Sequence, residues 1–195
     1  MKNRKVFSWD PGRSKLYFTE LAFPFKVDEE AMWYGDKVKK WPSETIAILS
    51  DESKLPATDV VSYGGPFKLI SDTFKQLLLD EIDSSHIQIL PIKEVRTLNR
   101  SIVLTNYWLL NVVKRVDCVD WSKIRNSPDE ERPGERYRDE PGPLTLFSEA
   151  IPPEVKLFKP KGDSLEILLI SDLVAKIKKQ FPNHGSKFGE QIMSF

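Results

Sequence analysis

The sequence predicts an α+β fold, a mixed or mainly antiparallel sheet with a few helices packed on it. Short runs rich in β-branched and aromatic residues cluster along the chain, separated by proline and glycine signals. Two segments carry an apolar stripe at helical spacing directly after a Ser-Asp pair. Helices this sparse do not give the regular strand–helix alternation of a parallel sheet.

Taken in order, Val6 to Trp9 reads as a strand stopped by the turn signal Asp10-Pro11-Gly12. Lys15 to Phe23 alternates Leu16 and Phe18 against Tyr17 and Thr19, as a strand does. Glu29 to Lys40 is either a short helix or an irregular segment. Thr45 to Leu49 suits a buried strand, and Asp59 to Tyr63 another, ended by Gly64-Gly65-Pro66. Ser71-Asp72 starts a helix, because serine supplies an N-cap oxygen and aspartate complements the helix dipole. Phe74, Leu77, Leu78 and Ile82 then form one apolar stripe. His86 to Ile92 reads as a strand. Ser101 to Trp121, with Tyr107-Trp108-Leu109-Leu110-Asn111-Val112-Val113 inside it, holds at least one central strand. Leu157-Phe158 and Glu166 to Ile170 are strands. Asp172 opens a second helix with Leu173, Val174, Ile177 and Phe181 inward, closed by Pro182 before the turn Asn183-His184-Gly185. The tetrapeptide Leu69-Ile70-Ser71-Asp72 recurs as Leu169-Ile170-Ser171-Asp172, and both copies read as strand, N-cap, helix. A shared capping solution accounts for the echo; a remote duplication is the bolder alternative.

Residues 126–143 break the pattern. They hold four prolines, two glycines and nine charged residues with no apolar periodicity, so they read as a long exposed loop or a locally disordered segment. The chain divides on this reading into an aromatic-rich N-terminal β subdomain or extension, residues 1–62, and an α+β domain, residues 63–195, that bears the charged loop.

Composition narrows the function. The 195 residues carry 29 Lys plus Arg and 29 Asp plus Glu, a formal net charge of zero. A nucleic-acid binder ordinarily has a basic excess, so no nucleic-acid partner is expected. Lys37, Lys39 and Lys40, and Lys176, Lys178 and Lys179, read as solvated faces. The single cysteine, Cys118, rules out an intramolecular disulfide and suits a reducing, cytoplasmic compartment. No signal-peptide pattern and no membrane-span-length apolar run is present, so no membrane association is expected.

No catalytic set emerges. His86 opens a strand and His184 sits in a turn, and Cys118 lies in an acidic, sheet-like setting that opposes thiolate formation. Zinc spacing is absent, and at strand spacing Asp117 and Asp120 point to opposite faces. The proline in Gly64-Gly65-Pro66 removes a donor a phosphate cradle needs. Glu29-Glu30 and Asp80-Glu81 read as solvated helix positions. No catalytic, metal or cofactor-binding residue is therefore assigned, and the chain is expected not to be an enzyme.

Recognition features remain. Trp33, Tyr34 and Trp41 are interface anchors or core, and the residue types alone leave both open. Asp129, Glu130, Glu131, Glu135, Asp139 and Glu140 make the loop acidic, and Tyr137 stands among them. Such a loop either steers toward a basic partner or is a solvated variable segment.

Pro66-Phe67-Lys68-Leu69-Ile70-Ser71-Asp72, Ile87 to Ile92, Tyr107 to Val113 with Asp117 and Asp120, Leu157-Phe158-Lys159 and Ile170-Ser171-Asp172 together resemble a known pattern. From about Gly65 to Gly189 the chain resembles the bacterial immunity proteins of polymorphic toxin systems, specifically the eleventh numbered immunity family. The resemblance implies a non-catalytic protein that binds and neutralises a cognate toxin. It transfers no contact residues. The alternative is a non-catalytic interaction or regulatory module that self-associates, for instance as a homodimer.

Overall fold

A computed structural model describes residues 4–11, 18–24, 26–50, 58–62, 67–130, 132–163 and 165–194. The Gly64-Gly65-Pro66 turn, Lys15 to Tyr17 and Glu131 lie outside the described residues. The fold is α+β. In chain order come β1 (Val6–Pro11), β2 (Phe18–Ala22), α1 (Glu29–Trp33), β3 (Ile46–Leu49), β4 (Val60–Ser62), β5 (Lys68–Ser71), α2 (Asp72–Glu81), β6 (Ile87–Pro91) and β7 (Glu94–Thr97). After β8 (Val103–Leu104) follow β9 (Tyr107–Val112), β10 (Arg115–Val116), β11 (Asn126–Pro128), β12 (Arg136–Arg138), β13 (Thr145–Phe147), β14 (Leu157–Pro160), β15 (Leu168–Ile170), α3 (Ser171–Gln180), β16 (Ser186–Glu190) and β17 (Ile192–Ser194).

This order is one topology written twice. In residues 6–97, β3 pairs in parallel with β7, β4 pairs antiparallel with β5, and α2 joins β5 to β6. In residues 107–194, β13 pairs in parallel with β17, β14 antiparallel with β15, and α3 joins β15 to β16. The antiparallel β2–β3 pair, with Leu21 opposite Ala47, is matched by the antiparallel bridge of Val119 to Leu146. Individual hydrogen bonds repeat too. Lys93 N donates to Thr45 O at 2.8 Å, and Ile192 N to Leu144 O at 2.9 Å. Asp72 N donates to Asn106 O at 3.0 Å, and Ser171 N to Lys5 O at 2.9 Å.

The recurring tetrapeptide is one residue out of step with this repeat. Ser71 caps α2, its Oγ accepting from Phe74 N at 3.2 Å. Ser171 is instead the first residue of α3, with Ile170 at the cap position and no side-chain cap bond. The second copy therefore does not read as strand, N-cap, helix, and the repeat lives in the topology rather than in those four letters.

The first strand of each repeat sits in the other repeat's sheet. β1 lies between β15 and β16, with Phe7 opposite both Leu169 and Glu190. β9 lies between β5 and β6, with Leu109 opposite Leu69 and Leu90. Both are interior strands, so their ladder groups are bonded on two sides. A division at residues 62 and 63 would cut β1 from its sheet, β3 from β7 and β4 from β5.

Three buried clusters follow the same symmetry. A central one joins Phe74 and Leu78 of α2 to Leu173 and Ile177 of α3, with Trp9 of β1 and Leu110 and Val112 of β9. The Phe74 and Phe181 rings lie 5.0 Å apart across it. One flanking cluster holds Ala47, Leu49 and Val95 of the first repeat, and the other Val119, Leu144 and Leu146 of the second. Burying each such aliphatic side chain contributes about 1.5–3 kcal/mol. Among the described residues no helix is long and apolar enough to cross a membrane.

The charged segment 126–143 is not a structureless loop. β11 and β12 form an antiparallel hairpin with Ser127 opposite Tyr137. Its turn uses Gly134 at φ +94°, in the left-handed region that glycine enters without strain. The strands carry no apolar alternation because polar contacts, described below, hold them.

The exchange sets a testable expectation. A protease recognition sequence inserted between Asn99 and Arg100, beside the exposed Leu98, should be cut under native conditions with no loss of size on gel filtration. The two fragments should part only in denaturant. Separation in native buffer would contradict the exchange.

Candidate partner-binding site

The two long insertions of the fold occupy the same place in the two repeats. Residues 23–45, with α1, lie between β2 and β3; residues 121–144, with the β11–β12 hairpin, lie between the Val119 bridge and β13. They meet.

α1 is short and starts on Asp28, whose Oδ1 accepts from Ala31 N at 3.1 Å. It buries Ala31 and Met32 and ends at Gly35, where φ is +78°. A Cβ at Gly35 would come within 3.1 Å of Val112 O and 3.2 Å of Lys159 Cδ, so only glycine fits without a shift. Lys159, from β14, closes the helix from beneath. Its Nζ donates to Met32 O at 2.6 Å and Trp33 O at 2.9 Å, carbonyls in the last turn of the helix, where the internal ladder runs out; Met32 O also accepts from Gly35 N at 3.2 Å. Burial, reinforced by the positive charges of Arg115 and Lys68, pushes the Lys159 amine down to about 7.

The hairpin is pinned by ion pairs. Arg115 pairs with Glu135, whose other oxygen accepts from Gly162 N at 2.8 Å. Arg136 N donates to Gly162 O at 3.1 Å. Arg138 reaches Asp163 at 2.6 Å and also pairs with Glu166. Burial raises both carboxyls, and the Arg138 charge opposes that rise.

Asp129 joins hairpin to helix. It is 4% exposed, and its Oδ2 accepts from Tyr34 OH at 3.3 Å while Oδ1 accepts from Arg132 N at 3.1 Å. The Tyr137 hydroxyl bonds the same carboxylate and Tyr34, which raises its pKa. The Arg132 guanidinium lies 3.6 Å from the centre of the Tyr34 ring, a cation–π contact, and reaches Glu30 and Asp36 at 3.3 Å each.

A model of the immunity protein family (Imm11) matches residues 11–191, which take in both insertions and most of both repeats. The chain belongs to the Imm11 immunity protein family. A search among curated proteins found no match.

The Imm11 fold sorts the residues singled out in the sequence. Tyr34 meets the loop. Trp33 and Trp41 instead pack half-buried on the first repeat's core: Trp33 edge-on to Phe67 at 5.0 Å, Trp41 edge-on to Phe23 at 5.3 Å with its Nε1 donating to Pro91 O at 2.7 Å. Of the loop acids, Asp129 and Glu135 face inward. Asp139 accepts from Ser127 Oγ at 2.8 Å and lies 3.5 Å from Arg125, which also reaches Glu140 at 3.4 Å. Glu130 and Tyr137 are exposed. Much of the acidic charge is thus matched within the molecule. Lys37, Lys39 and Lys40, with Lys26, border an open cleft of about 690 Å³ that also takes in Asp28 and Asp36.

The residues with catalytic chemistry serve the fold. Burial and the neighbouring Asp117 push the Cys118 thiol up to about 12. His184 Nδ1 accepts from Ser186 N at 3.1 Å, its ring stacks 5.2 Å from Phe188, and burial lowers its pKa. Asp120 caps a 3-10 turn through Ser122, while Asp117 is exposed. Among the described residues no three His, Cys, Asp or Glu side chains converge as metal ligands would.

Sequence reasoning missed Lys159, Arg115 and Arg132. For Lys159 one signal was available, a lysine inside the apolar run from Leu157 to Pro160.

Two outcomes follow from this geometry. Buried Lys159 and Lys68, the latter lowered to about 8, are penalised while charged, so stability should rise with pH from about 7 toward the ordinary lysine value. Urea unfolding at pH 7.5 and 8.5 should show a net gain of about 1 kcal/mol or more, the lysines outweighing a loss of about 0.4 kcal/mol from Cys118, which begins to deprotonate in the unfolded chain over this range. Lys159→Met should remove a large part of that slope; an unchanged slope would refute the assignment. Separately, Asp129→Ala should cost about 2 kcal/mol, because it leaves buried donors unpaired. Amide exchange should accelerate in residues 126–138 and not in β9.

Proposed function

We propose that this Imm11 protein binds one cognate bacterial toxin of a polymorphic toxin system and blocks it stoichiometrically, without catalysis, in the cytoplasm of the cell that makes both. Membership of the immunity family over residues 11–191 carries this reading. The engagement of Cys118 and His184 in the fold supports inhibition by contact rather than by chemistry. So does the balanced charge, 29 against 29, which favours a protein partner over nucleic acid. A stable inhibitory complex of this kind buries about 1,600 Å² in total.

The test mixes the purified chain with the toxin domain encoded beside its gene. Toxin activity should fall linearly with added chain and vanish near one-to-one. Unfolding the complex and refolding the toxin alone should restore full activity. Inactivation by a small fraction of an equivalent, or a toxin that stays modified after separation, would mean an enzyme. Absence of a complex alongside stable self-association would favour the self-associating module.

A further inference from the structure

We infer that the toxin docks on the face built by the two insertions and the β14–β15 connection beside them, centred on Tyr137 of the hairpin and Leu165 of that connection, and that the helical faces of α2 and α3 take no part. This rests on reading the chain as a toxin-binding immunity protein and adds where the toxin sits.

The repeat makes the argument. A scaffold written twice places its insertions at equivalent positions, yet one insertion is a helix and the other a hairpin. The two differ where the framework agrees, and function on a shared framework resides in such segments. They are also held as a unit. Lys159 closes α1, Arg115 and Arg138 pin the hairpin, and Asp129 ties the hairpin to Tyr34. Ordering of this kind in the free protein lowers the entropic cost of docking.

The outward surface has the anatomy of an interface. Tyr137 is 46% exposed and Leu165 49% exposed, and both border one cleft of about 220 Å³ with Pro141 and the charged Arg136, Arg138, Glu140 and Asp163. Around these apolar side chains stand Arg136 and Glu140, exposed and of opposite sign, and Glu130 is exposed in the turn of the same hairpin. An apolar centre with a mixed-charge rim fits a folded protein surface that offers an apolar knob and charges of both signs. It does not fit a polyanion, which would call for one sign throughout.

The experiment measures affinity for the toxin domain encoded beside the gene, using the full chain and five variants. Tyr137→Ala and Leu165→Ala remove the centre, and Glu130→Lys reverses one rim charge. Leu79→Ala on α2 and Leu98→Ala at the tip between β7 and β8 are controls, at 44% and 66% exposure. Each variant is first shown to unfold in urea as the parent does. Losses of at least tenfold for Tyr137→Ala and Leu165→Ala, with the controls within twofold, are expected. Parent-like binding by all three face variants would overturn the docking face while leaving toxin binding intact. A parent chain that does not bind would instead remove the reading beneath it.

Discussion

The exchange of β1 and β9 between the two repeats is the constraint from which the rest of the molecule follows. Each strand fills a slot between two strands of the other repeat, in a sheet that lacks a continuous ladder without it. Each also delivers apolar side chains to the central cluster: Trp9 from β1, Leu110 and Val112 from β9. After each exchanged strand the chain returns to its own repeat, through β2 in one case and through β10 and the Val119 bridge in the other, and the insertion follows. The meeting of α1 and the hairpin is thus a consequence of the crossing, although Tyr34 and Asp129 are far apart in sequence.

The first insertion packs Val27, Met32 and Val38 into the core, but the hairpin contributes little apolar surface, so polar groups hold it, and these are costly to bury. Lys159 loses hydration to satisfy carbonyls at the end of α1, and its amine falls to about 7 as a result. Asp129 and Glu135 surrender most of their solvent for hydrogen bonds and one close arginine. A buried charge removed from its partner costs several kcal/mol, whereas an intact pair contributes little net stability. Such contacts therefore specify a geometry more than they strengthen the fold. That suits a surface which must be presented in one shape.

Local pattern revealed the elements and not their partners. α2 and α3 were legible because their apolar stripes and Ser-Asp starts are strong signals, and the Tyr107 to Val113 run announced an interior strand. Nothing in Val6 to Trp9 distinguishes a strand that pairs with its own repeat from one that crosses, because pairing choice lies in distant residues. The recurring Leu-Ile-Ser-Asp is one position out of step with the repeated topology, because Ser71 caps α2 while Ser171 is the first residue of α3. The hairpin escaped detection because its strands, Asn126–Pro128 and Arg136–Arg138, have no apolar face to read. In the site, counting acids in the loop overstated its outward charge: composition records Asp129 and Glu135 and not the Tyr34 and Arg115 that engage them. Tyr34 was legible as an aromatic of interest, while Trp33 and Trp41 belong largely to the core.

The decisive measurement is a crystal structure of the chain bound to its toxin domain. Buried toxin contacts are expected on both insertions, with Tyr137 and Leu165 inside the contact area and the β1 and β9 exchange unchanged. A toxin seated on α2 and α3, or touching neither insertion, would contradict it.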